Sequence, residues 1–306
     1  MIPDNLHPLN TLKLFKYKKE FRLLSNLFLK KKYPRISMFS GQKGIGKLTL
    51  ISHVLAYYFD SKNYDIASNR ILPTSDYLKL KNYNVIYINN NSNRIFGIDE
   101  CRKLKEKLQK STINNKPRII LVDDVELMNV YSVNSLLKIT EEPLNYNYFI
   151  FINNFSKEIF DTLKSRCIEF KIRLNNEDNN EIKREILKKH NLEDVLENKF
   201  VYLTPGNRLY FNFLINQYKI VVNDNDLIEN FKSLTNIYKK EKDLNLQNLI
   251  KYLFEIYLYK KEKLKENYSQ YIINKNISLF RDLNDYFFYN LNQKITISKI
   301  NQNIYE

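Results

Sequence analysis

The chain has 306 residues, 43% of them hydrophobic, which is enough for two or three domains with real cores and excludes a disordered or fibrous class. Its net charge of +15 and pI near 9.4 favour polyanionic partners, nucleic acid first, although an AT-rich genome would produce the same excess of Lys, Asn, Ile, Tyr and Phe without selection for binding. No run approaches the ~18 apolar residues of a membrane span, and "MIPDNLHPLN" lacks the basic-then-apolar order of a secretory signal, so a cytoplasmic protein without membrane contact is expected. Cys101 and Cys167 stand far apart and form no CxxC pair, so neither a disulfide framework nor a metal site is expected.

In chain order, short apolar runs alternate with amphipathic stretches as far as residue 170. The runs are "ISMFS" (36–40), "NVIYIN" (84–89), "RIILV" (118–122), "YFIFI" (148–152) and "CIEF" (167–170). Each is β-branched or aromatic and apolar on both faces, as a strand covered by helices on both sides must be. In "IDECRKLKEKLQK", Ile98, Cys101, Leu104 and Leu108 recur at helical spacing, with Asp99 placed to cap the start. This alternation predicts a five-stranded parallel α/β sheet in a core domain over 1–170.

Beyond residue 170 the strand signal fades. A polar opening at "NNEDNN" leads into a helical pattern through Ile182, Ile186 and Leu187, a turn is expected at "TPGN" (204–207), and the rest reads as helices broken once by "NDND" (223–226). The expected division is a small helical lid over 171–215 and an all-helical domain over 216–306.

"SGQKGIGKLTL" follows the first strand and opens a helix, the context in which GxxxxGK[ST] cradles phosphate. Gly41, Gly44 and Gly46 let the backbone turn amides inward, the helix N-terminus adds its dipole, and Lys47 supplies a point charge. Leu48, however, stands where the magnesium hydroxyl belongs. Thr49 comes one residue late, and one helical step rotates its hydroxyl by roughly 100°. "RIILVDDVELM" supplies the strand ending in acids: Asp123 could reach a metal or its water, while Asp124, one methylene shorter than Glu, is a poor base for hydrolysis. Acids in such places also merely cap the next helix, and that reading stays open.

Together, "GQKGIGKLTL", "IDECRKL", "VDDVELMN", "NSLLKITEEP" and "LKSRC", in this order, resemble the clamp-loader branch of the AAA+ proteins over residues 7 to 170, with a weaker continuation at "LTPGNR". "NSLLKITEEP" is the most specific, through Asn134, Leu136, Leu137, Lys138, Glu141, Glu142 and Pro143. The resemblance implies an AAA+ P-loop core, a helical lid and a C-terminal collar that assembles a hetero-pentamer with gamma/tau and delta subunits of DNA polymerase III. It also implies contact, through that complex, with the sliding clamp and primer-template DNA during replication.

The resemblance makes Arg166, in Ser165-Arg166-Cys167, an arginine finger reaching a neighbour's ATP, a task suited to a permanently charged, forked group. An arginine before a strand reads otherwise as a surface salt bridge. Asn153 or Asn154 falls at the family's first nucleotide sensor and Arg208 at its second. Leu48, Asp124 and the absence of cysteines between residues 60 and 82 depart from the motor subunits, which carry a hydroxyl, Asp-Glu and a zinc module. No cofactor is expected to be required, with at most weak ATP or ADP binding without catalysis. The competing expectation is an independently active AAA+ ATPase, such as a truncated gamma/tau-like motor.

Overall fold

The computed structural model describes residues 6–75, 77, 84–90, 96–109, 116–141, 147–196, 202–222, 227–263 and 270–305. The chain divides into two compact units, one made of the chain up to Arg184 together with Thr204–Gly206, the other of Glu185–Leu203 and everything from Asn207.

The first unit is built on a five-stranded parallel sheet. Its strands are β1 (Ile36–Ser40), β4 (Val85–Asn89), β5 (Arg118–Asp123), β6 (Asn147–Asn153) and β7 (Ile168–Lys171), in the order β4-β5-β6-β1-β7. All five expected apolar runs are strands, shifted by no more than one residue at either end. A short antiparallel pair, β2 (Tyr64–Asp65) and β3 (Arg70–Ile71), was not marked by any apolar run.

Residues alternate across the pleat, and here they do so into two separate cores. Ile119 and Leu121 of β5 face Leu50, Leu55 and Phe28, contributed by α1 (Lys18–Leu29) and α2 (Lys47–Phe59). Ile120 and Val122 face Cys101, Leu104 and Leu136, contributed by α3 (Ile98–Gln109) and α4 (Val130–Glu141). All four β5 residues have no exposed surface. A strand covered on both faces has no use for a polar side, and between Arg118, where this one enters the layer, and Asp123, where it leaves, it carries none. A short helix, α5 (Asp161–Lys164), leads from β6 to β7.

Two local expectations are corrected. Asp99 does not cap α3: the helix starts at Ile98, and Glu100 Oε2 accepts from the Gly97 amide at 3.1 Å, while Asp99 pairs with Arg102 in the first turn. "TPGN" is not a free turn but the start of a helix with proline in its first turn, where a missing N–H costs nothing. "NDND", Glu142 and Pro143 lie outside the described residues.

Helix α6 (Asn176–Lys189) follows the sheet. The second unit gathers α7 (Pro205–Gln217) from Asn207 onward, α8 (Leu227–Glu241), α9 (Leu244–Lys263), α10 (Gln270–Tyr289) and α11 (Gln293–Tyr305). Its core includes Phe211, Leu246, Leu249, Phe254, Leu283 and Tyr286. Much of "LIKYLFEIYLY" and "ISLFRDLNDYFFYNL" is therefore buried privately, within this unit.

Candidate functional site

A parallel sheet directs the C-terminal ends of its strands to one edge, and loops leaving that edge converge. Here β1 ends in the glycine-rich loop, β5 in Asp123 and Asp124, and β6 in Asn153 and Asn154. The pairing of Ser40 with Asn153 and of Asn89 with Asp123 sets their heights.

The loop has the turns its glycines permit, with Gly44 at φ 84° and Gly46 at φ 98°, where a side chain would be strained. Each of its carbonyls from Gly41 to Ile45 accepts a bond from this chain. Lys47 Nζ donates to Gly41 O at 2.6 Å and Gln42 O at 2.8 Å. Thr204 Oγ1 donates to Lys43 O at 2.7 Å, and the Gly206 amide to Gly44 O at 2.8 Å. Tyr17 OH closes the series on Ile45 O at 2.8 Å. Lys47, the expected phosphate ligand, is thus buried with its ammonium on the loop's own backbone. Burial pushes that ammonium down to about 8, against the opposing pull of Asp123, Glu126 and Asp124 and with a small further push from Lys43.

Leu48 is 7% exposed and belongs to the core under α2, while Thr49 is half-buried one position on. Asp124 adopts the left-handed region, φ 50° and ψ 45°, which turns its carboxylate back across the loop. Lys43 Nζ meets both of its oxygens, at 3.0 and 2.8 Å. Asn154 Nδ2 spans the two acids, 3.1 Å from Asp123 Oδ1 and 2.7 Å from Asp124 Oδ1. Asp123 also accepts from Tyr87 OH at 3.2 Å and from the Asp124 amide at 2.9 Å. Burial, and then the neighbouring Asp124 charge, raise the Asp123 carboxyl above its ordinary value.

Of the two asparagines, Asn154 faces the acids. The Asn153 side chain points to Ser40 Oγ and accepts from the Phe155 amide. Glu126, absent from the sequence-derived set, is buried beneath this turn, and its Oε1 accepts from the Asn154 and Ser156 amides and from Ser156 Oγ. Its signal was present in "VDDVELMN", but spacing alone did not single it out. Lys43 carries no comparable signal, because its partner is 81 positions away.

Arg208 belongs to the second unit, where its guanidinium forks onto Asp194, with Nε 2.9 Å from both oxygens. Asn212 completes that pair by donating to Asp194 and to Arg208 O. Arg166 lies on the surface of the first unit. Its Nε meets Glu141 Oε1 at 3.0 Å and its Nη1 donates to Thr162 O at 3.0 Å. Beside it, burial and then Glu169 push the Cys167 thiol up to about 12, and burial and Glu100 take Cys101 to about 11, so neither is a reactive thiolate. Among the described residues no group of His, Cys, Asp and Glu is arranged to hold a metal ion, and no helix is long and apolar enough to cross a membrane.

A doubly covered parallel sheet with this loop, these strand-end acids and a following helical unit defines an AAA+ core with helical domains. The chain belongs to the DNA polymerase III clamp-loader family: the family described as "DNA polymerase III, delta subunit" matches residues 16–176, just over half of it. It is 28% identical over 134 residues to DNA polymerase III subunit delta′ of Buchnera aphidicola subsp. Baizongia pistaciae, covering 41% of this chain and 40% of the relative. It is 35% identical over 85 residues to subunit delta′ of Buchnera aphidicola subsp. Schizaphis graminum, covering 28% and 26%. Subunit tau of Bacillus subtilis matches at 28% over 151 residues, 49% of this chain and 26% of that one. The matches thus span well under two thirds of these relatives' lengths. A gamma-subunit-related protein from Thermotoga maritima shares the fold, with a TM-score of 0.51 at 18% identity over 92% of this chain and 96% of the other.

Proposed function

We propose that this protein is a clamp-loader subunit of the delta-prime type, which hydrolyses no ATP itself and lends Arg166 to the ATP site of a neighbouring gamma/tau subunit. The observation that carries the reading is the commitment of the loop's own chemistry: Lys47 on Gly41 O and Gln42 O, Lys43 on Asp124, and Leu48 in the core. The glycine cradle fits a phosphate, but the residues around it do not fit a magnesium-nucleotide complex. No oxygen stands at position 48, and the carboxylate at position 124 is already paired. The same facts disfavour an independently active ATPase.

Arg166 supports the second half of the reading. It is surface-accessible, and its fork is presented by a short helix and an edge strand rather than folded into the core. Such an arginine stabilises charge that develops on a transferring phosphoryl group. The C-terminal helices supply a collar. After their private core is filled, Ile273, Ile277, Phe288, Leu291 and Ile295 remain exposed on α10, α11 and the turn between them, an apolar surface suited to sister subunits. Gamma/tau and delta subunits are the proposed partners in a hetero-pentamer. Sliding clamp and primer-template DNA are reached through that assembly in the cytoplasm, with lysines meeting phosphates. The three-part division at residues 170 and 215 belongs to the same proposal, as does weak ATP or ADP binding without turnover.

Two measurements test it: steady-state ATP hydrolysis by the isolated chain, and co-purification with gamma/tau and delta subunits. Background turnover and a stable complex are expected. Turnover at an ordinary enzymatic rate, ~1 s⁻¹ or more, or failure to assemble with those subunits, would contradict the reading.

A further inference from the structure

The strand-end acids carry a cation supplied by the chain. Asp123, half-buried, and Asp124, buried, are adjacent carboxylates, an arrangement that repels itself unless positive charge is brought in. Donors surround them. Tyr87 and the Asp124 amide serve Asp123, Asn154 bridges the pair, and Lys43 places its ammonium on both oxygens of Asp124. The Asp124 side chain is 6% exposed and that of Lys43 is 41% exposed, so the lysine approaches from the solvent side and covers the carboxylate. Its own carbonyl is held by Thr204 Oγ1, which fixes the backbone from which the side chain reaches.

We propose that Lys43 is a built-in counter-ion, occupying the position from which a divalent cation would bind Asp123 and Asp124, so that Asp124 is paired within the chain and the site refuses metal. Leu48 removes one metal ligand; Lys43 makes the remaining carboxylates unavailable. The inference rests on the non-hydrolytic reading of this site but is separable from it. ATP turnover by the wild type would sink that reading, whereas a silent wild type whose Lys43 variant behaves as described in the failing cases below would sink only the counter-ion.

The test uses the full chain with Mn²⁺ as the probe, followed by electron paramagnetic resonance and by thermal unfolding in EDTA or in Mn²⁺. Wild type and Lys43→Arg should show the same Tm in both media and no saturable binding. Lys43→Met should unfold at a lower temperature in EDTA, recover in Mn²⁺, and bind the ion at least about tenfold more tightly than the wild type, since a repelling charge beside two carboxylates is gone. Wild type binding Mn²⁺ as tightly as the variant would overturn the proposal, as would a Lys43→Met protein indifferent to the ion. Should Lys43→Met fold too poorly for binding measurements, Asp124→Asn and the double variant decide. With Asp124 neutral, Lys43→Met should have little further effect on Tm, and a loss as large as in the wild-type background overturns the proposal.

Discussion

Arg166 and Glu141 join two segments far apart in sequence, the turn before β7 and the last residue of α4, through an ion pair of 3.0 Å. Both side chains are about half exposed, 43% and 56%, so water screens the pair and its contribution to folding is small. Its consequence is orientation. A guanidinium tethered at Nε and Nη1 keeps one Nη2 edge for another charge, and exchange of Glu141 for an anion on a neighbour requires little energy.

Glu141→Ala and Arg166→Ala should therefore each change the stability of the isolated chain by less than about 1 kcal/mol. Urea unfolding checks this. A loss of several kcal/mol in either variant would make the pair structural and weaken the case for Arg166 acting between subunits.

Lys47 gives a pH signature. Its ordinary value of 10.5 holds in the unfolded chain and falls to about 8 in the fold. Between those values the unfolded state holds the extra proton, so stability contributed at Lys47 rises with pH through that window, by up to about 3 kcal/mol, and below pH 8 the buried charge is a cost. Comparing urea unfolding of wild type with Lys47→Met cancels the tyrosines that titrate nearby. The difference should move in favour of the wild type from pH 8 to pH 10, and a flat difference contradicts the buried ammonium.

Gly41 reads in sequence as a phosphate glycine, but its surroundings give it another task. A Cβ there would lie 2.5 Å from Ile172 O and 2.8 Å from Ile45 Cδ1. The first obstacle is backbone, since β7 runs on to Ile172, whose amide bonds Ser40 O. Gly41→Ala should cost at least ~2 kcal/mol whether or not nucleotide is present, measured by thermal unfolding. An unchanged Tm would show that the strand end yields.

Leu48→Thr restores the missing hydroxyl, and ATP turnover should still stay at background, because Asp124 is held by Lys43 and Asn154. The change also removes a buried apolar side chain and should cost about 1–3 kcal/mol. Turnover appearing in this single variant would mean that the acids are free to act.

The sheet was legible because a doubly covered strand leaves a compositional trace: Ile119 to Val122 are apolar without interruption, and no other pattern explains them. The first turn of α3 departs from the expected cap because the reciprocal acid sits three residues after Gly97, at Glu100, beside an aspartate of the more familiar capping type. "TPGN" contains punctuation that marks turns and helix starts alike. The site was legible as a set of residues and not as a set of bonds. Nothing in spacing tells whether Asn153 or Asn154 turns toward the acids, since neighbours at a strand end point to opposite sides. Nothing in the loop announces that Lys43 will meet an aspartate from another strand.

The most direct test of the central claim is ATP hydrolysis and clamp loading by a reconstituted complex carrying Arg166→Ala, beside the same change on a motor subunit. Assembly should be intact, and DNA-stimulated hydrolysis should fall at the single adjacent motor site by on the order of 10³-fold while the other sites continue. Arg166→Lys should rescue poorly, because an ammonium cannot fork onto two oxygens. A complex with Arg166→Ala that hydrolyses ATP and loads clamps like the wild type at every salt concentration would contradict the account and leave Arg166 as the surface partner of Glu141.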